Sequence, residues 1–155
     1  MENTLKTKKG LRHYRYLCDY LAEEKLVYEK NDKRLSANLA VATECLSITM
    51  SISIDIEHQL ICLRALLPFK IDTEKSELHA LATATATDIV TEGSFTLNAN
   101  GTICYKNTFS YFDSLVSKKV FEYMIKCAIM NIEELSENLF LLDMGYSRIN
   151  DFIKE

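Results

Sequence analysis

Residues 45–56 read CLSITMSISIDI, and this stretch decides the fold. Leu46, Ile48, Met50, Ile52, Ile54 and Ile56 alternate with Cys45, Ser47, Thr49, Ser51, Ser53 and Asp55. An apolar period of two held over the whole run specifies a strand, with one face on a core and the other near water.

The next residues pair with it. Glu57-His58-Gln59 is a polar break, and Leu60–Leu67 follows as a second strand, apolar on both parities, so the two form an antiparallel hairpin. Within the second strand Ile61, Leu63, Ala65 and Leu67 share one face, while Leu60, Cys62, Arg64 and Leu66 share the other. A charged side chain is rarely buried without a partner. The Arg64 face is therefore expected to point away from the helices. Apolar groups amid polar surface mark contact sites, which makes Leu60, Cys62, Arg64 and Leu66 a candidate partner-binding surface.

Upstream, Leu11, Tyr14, Leu17, Cys18 and Leu21 repeat with helical spacing, giving a first helix that ends near Glu24. Residues 1–10 read as a flexible arm carrying Lys6, Lys8 and Lys9, with Gly10 just before the helix. Leu26–Tyr28 is a short extended piece, and Arg34–Val41 is a strand. Downstream, Pro68 closes the second hairpin strand. Asp72 or Thr73 then caps a helix that runs to about Val90, with Leu78, Leu81, Ala82, Thr85 and Ile89 turned inward. Gly93–Asn98 and Thr102–Phe109 make a further hairpin around Asn100-Gly101, a type I′ signal. Ser114 or Ser117 caps a long helix to about Met144, Gly145 is its C-cap, and residues 146–154 form a last short helix. The class is α+β: a twisted antiparallel sheet of about five strands with helices packed on one side, in the order α-β-β-β-α-β-β-α.

Composition narrows the function. The 155 residues suit one domain, residues 11–155 behind the arm. A net charge of -4 lacks the basic footprint of a nucleic-acid binder. No apolar run reaches the roughly 20 residues of a membrane span, so no membrane partner is expected. The N-terminus has no apolar core of an export signal, and the five cysteines are odd in number. Both point to the reducing cytoplasm. Cys18, Cys45, Cys62, Cys104 and Cys127 are too widely spaced for a metal ribbon and read as small buried hydrophobes. His79 has no second ligand at i+3 or i+4. His58 lies at a polar turn, and the cations beside His13 would lower its pKa. Glu133, Glu134 and Glu137 form a solvated acidic face. No glycine-rich nucleotide loop or nucleophile elbow is present. The expectation is a non-enzyme with no cofactor and no metal.

The motifs Leu67-Pro68, Gly93-x-Phe95-x-Leu97 and the Gly101–Ile103 turn into a second strand resemble the YbjN family of bacterial proteins, sometimes labelled sensory transduction regulators. The resemblance covers roughly residues 45–142, and the Ala/Thr-rich stretch Ala80–Thr87 departs from it. It implies the fold of type III secretion chaperones, often dimeric, which bind extended protein segments. The function expected is a protein-interaction module, chaperone-like or regulatory. The alternative is a small-molecule-sensing regulatory domain with a pocket between sheet and helices. The long helix carries apolar groups on more than one side. Phe121, Ile125, Ile129 and Ile132 are therefore candidate self-association residues of a homodimer.

Overall fold

The computed structural model of the chain describes residues 2–71, 76–90, 92–112 and 114–143. Its elements are α1 (Glu2–Glu23), β1 (Tyr28–Asn31), β2 (Ser36–Ala42), β3 (Ser47–Asp55), β4 (Leu60–Lys70), α2 (Ser76–Ile89), β5 (Ser94–Leu97), β6 (Thr102–Ser110) and α3 (Lys118–Asp143). The six strands form one antiparallel sheet in the order β1-β2-β3-β4-β6-β5. The expected α+β class with helices on one side of the sheet holds, but the strands number six and the order is α-β-β-β-β-α-β-β-α. The added strand is β1, whose Glu29, Lys30 and Asn31 are exposed and so carry no apolar alternation. The expected caps at Asp72 or Thr73, Gly145 and the last helix at 146–154 lie outside the described residues.

The β3 stretch behaves as its alternation requires. Ile48, Met50, Ile52 and Ile54 are buried, and they face Ala37 and Leu39 of β2 and Ile61, Leu63 and Ala65 of β4 across the ladder. From above, α1 adds Leu17 and Leu21, and α3 adds Phe121, Met124, Ala128, Ile132 and Leu135, all buried. The edge strands β1 and β5 have only four residues each, a length that limits edge-to-edge pairing.

Four local expectations change. First, the stretch read as a flexible arm is helical, because α1 starts at Glu2. Gly10 lies inside α1, where an added Cβ would sit 2.6 Å from Ile56 Cγ1, so the glycine permits close approach of helix and sheet. Second, β4 continues through Pro68 to Lys70, and the ladder shifts register between Leu66 and Lys70. The ring has no N–H to donate, and an irregular step in the ladder is where a strand accommodates it. Third, Gly101 has a φ of 80° while Asn100 is not among the residues with positive φ. Gly101 N–H donates to Asn98 O, and Asn98 N–H donates to Thr102 O, each at 2.9 Å. This is a three-residue loop closed by a left-handed glycine, not the two-residue type I′ turn. Fourth, the inward face of α2 is His79, Ala82 and Thr83, whereas Leu78 and Leu81 are exposed. Small residues face the sheet side, and Thr83, Thr85 and Thr87 donate to the carbonyls four residues back. Thr87 Oγ1 also accepts from Phe95 N–H at 3.0 Å, tying α2 to the β5 edge.

His13 is fully buried in α1, its ring centroid 4.4 Å from that of Tyr111. Neither ring nitrogen has a hydrogen-bond partner among the described residues. Its pKa lies below the usual 6.5, mainly through burial and further through the Lys9 and Arg12 cations. The unfolded chain therefore takes up this proton first as pH falls. Stability is complete above about pH 6.5 and declines below it, by at most about 1.4 kcal/mol per pH unit for this one group. His58 acts in the opposite sense: Asp55 raises its pKa, so its contribution fades as pH rises through that raised value. That pair is exposed and screened by solvent, so His13 decides the slope. Urea titrations between pH 7 and pH 5.5 are expected to show declining stability, and His13→Phe should flatten that decline.

Candidate functional site

Strand pairing places Leu60, Cys62, Arg64 and Leu66 on one face of β4, opposite to the buried Ile61, Leu63, Ala65 and Leu67. Their cross-strand neighbours define the surface. Leu66 lies between Thr49 of β3 and Cys104 of β6. Arg64 lies between Ser51 and Lys106, Cys62 between Ser53 and Thr108, and Leu60 between Asp55 and Ser110. Leu66 is 43 % exposed, Arg64 is exposed, and Leu60 and Cys62 are half-buried. Directly opposed residues have Cβ atoms roughly 5 Å apart, so Arg64 and Lys106 form a cationic pair at the middle of a Ser/Thr-rich face. Cys104 shares this face; burial pushes its thiol up despite the nearby Arg64 and Lys106 charges, which suits an inert packing role.

At one end of this face the β3–β4 turn is fixed by its own polar groups. Asp55 Oδ1 accepts from His58 N–H at 3.0 Å, and its other oxygen lies 2.9 Å from His58 Nδ1. These contacts hold the Asp55 carboxyl below its ordinary pKa. Gln59 then takes a φ of 57°, and the Tyr111 hydroxyl donates to Asp55 O at 3.0 Å. The aspartate thus orders a hairpin.

The four self-association candidates on α3 sit elsewhere. Phe121, Ile125 and Ile132 are buried by their own chain, and only Ile129 is half-buried. The sheet and α1 close over the side left to a second copy in the sequence reading. The outward apolar groups of α3 are Tyr123, Met130 and Phe140. The cysteines are all free, and Cys45, expected inside, is exposed in the β2–β3 turn. Among the described residues no three His, Cys, Asp or Glu side chains gather closely enough to hold a metal ion, and no helix is long and apolar enough to cross a membrane.

A second concavity lies on the helical side and was not legible as a site. It is bounded by the β2–β3 turn, Phe69 of β4 and the C-terminal half of α3, and has a volume of about 1140 Å³. A smaller compartment of about 300 Å³ continues from it toward Ile71 and His79. The two share Phe69, Ser136 and Phe140.

The sheet and helix order match those of solved structures with a type III secretion chaperone-like fold. No family model matches the chain, and no curated protein matches its sequence. Solved structures do match in three dimensions. YbjN from E. coli, a proposed transcription regulator, superposes with a TM-score of 0.58 at 11 % identity, covering 77 % of this chain and 84 % of that one. The HopA1–SchA chaperone–effector complex contains a chain matching with a TM-score of 0.60 at 12 % identity, over 83 % of this chain and 95 % of that one. The ExsC–ExsE complex gives 0.59 at 12 % identity, over 79 % and 89 %. The shared property is the fold.

Proposed function

We propose that this protein is a non-enzymatic interaction module that binds an extended segment of a partner protein along the open face of its sheet. One observation carries the reading: Leu66, exposed beside the Arg64–Lys106 pair, sits on a face whose cross-strand neighbours are mostly serines, threonines and cysteine, with Leu60 half-buried at its far end. Exposed apolar side chains within a polar surface mark protein contacts, and the two cations give such a contact a preference for acidic residues in the segment. Structures of the same fold include a chaperone–effector complex, which supports a polypeptide as the occupant.

The test is Leu66→Asp with affinity capture from a native lysate and mass spectrometry. Leu66 is more than half covered on a strand paired on both sides and Asp is a poor strand residue, so the variant is expected to lose about 1–2 kcal/mol, melting several degrees below the parent while remaining folded. It should lose the proteins that the parent retains. Unchanged capture by a folded Leu66→Asp protein sinks the assignment.

A further inference from the structure

The groove on the helical side is acidic in its larger compartment, while Lys70 and His79 line the smaller one. Its larger compartment is lined by three carboxylates, Glu44, Glu133 and Glu137, with no Lys, Arg or His in the lining among the described residues. None of the three makes an ion pair with a described residue. Glu133 and Glu137 stand at i, i+4 on α3, where like charges repel.

A second observation points the same way. Ser136 lines both compartments, is only 7 % exposed, and its hydroxyl has no hydrogen-bond partner among the described residues. A buried hydroxyl with no partner is unfavourable, and a ligand's hydrogen bond removes that penalty. The remaining lining is apolar and aromatic, with Phe69 and Phe140 both partly exposed.

We propose that this groove binds a small molecule with an apolar body and a protonated amine. The ammonium, with its three donors, is held between Glu133 and Glu137 and within reach of Ser136 Oγ, and the apolar body lies against Phe69 and Phe140. A volume of about 1140 Å³ is just above the roughly 300–1,000 Å³ of most small-molecule sites, so a ligand of this size fills only part of it. The narrower compartment behind it, about 300 Å³, suits a compact group better than a through-running polypeptide. The site is separate from the open sheet face, so it stands whether or not that face binds a protein.

The test titrates the isotope-labelled 155-residue protein with three probes of one shape: 4-phenylbutylamine, 4-phenylbutanol and 4-phenylbutyrate. The amine is expected to move the amide signals of residues 42–46, 69–71, 79 and 129–140. It should bind about tenfold more tightly than the alcohol, the usual gain of a charge-assisted hydrogen bond, with the carboxylate weakest. Glu133→Gln together with Glu137→Gln should bring the amine down to the affinity of the alcohol while leaving the alcohol unchanged. Equal binding of all three probes overturns the proposal. So do shifts outside these segments, no binding up to about 10 mM, or an amine preference that survives the double substitution.

Discussion

Phe121→Ala is expected to remove about 4 kcal/mol of folding stability, by the usual cost of emptying a fully buried aromatic site. Phe121 has no exposed surface, and its neighbours one turn on, Met124 and Ile125, are also buried. Its helix packs on β4 and β6, each paired on both sides, and on α1, which Lys118 ties to α3 through Glu23 at 2.5 Å. Such surroundings collapse poorly into a cavity, so the loss should lie toward the upper part of the range. The loss should be the same at every protein concentration, because the covering atoms belong to the same chain. Met130→Ser is the matched control: Met130 is 67 % exposed on the same helix, and surface changes of this kind stay within about 0.5 kcal/mol. Urea denaturation at two well-separated concentrations checks both. A Phe121→Ala loss under about 1 kcal/mol, or one that grows on dilution, would return Phe121 to an interface between copies.

The same helix shows how far the sequence could be read. A long amphipathic α3 was legible from its apolar spacing, and so was the strand pair β3–β4, because a period of two and a charged residue on one parity fix which face turns outward. Arg64 sorted Leu60, Cys62 and Leu66 onto the open face for that reason. What spacing does not contain is how much cover the rest of the chain supplies. The wide stripe on α3 looked like surplus apolar surface, yet α1 and the sheet enclose nearly all of it. On α2 the leucines drew the inward face one residue out of phase. Helix rotation there is set by how closely small residues let the helix approach and by the Thr87 bonds to Phe95, which are tertiary facts. The groove depends on Glu44, Phe69 and Ser136, which come from three separate elements and meet only in the fold.

Gly93→Ala is expected to cost about 3 kcal/mol, the sum of a left-handed backbone held by a residue with a Cβ and of overpacking at a rigid site. Gly93 has a φ of 83° just before β5. An added Cβ would lie 2.5 Å from Tyr105 Oη and 2.6 Å from the carbonyl oxygen of Lys106. The carbonyl belongs to β6, which is paired on both sides, by β4 and by β5, and cannot retreat without breaking the ladder. Tyr105 is fully buried, and its hydroxyl donates to Glu92 O at 2.8 Å, so that ring is also held. Tyr105→Phe removes only the hydroxyl: the ring carbon Cζ, which an added Cβ would meet at 2.6 Å, the Lys106 carbonyl and the φ requirement all stay, so Gly93→Ala should remain costly in the Tyr105→Phe background, by at most about 1 kcal/mol less than in the parent. Thermal or urea unfolding of the four proteins measures the cycle. A parent Gly93→Ala loss within about 0.5 kcal/mol of zero would mean that the loop before β5 re-forms freely. In that case Gly93 would not be what fixes the edge strand beside Lys106 and Cys104 on the open face.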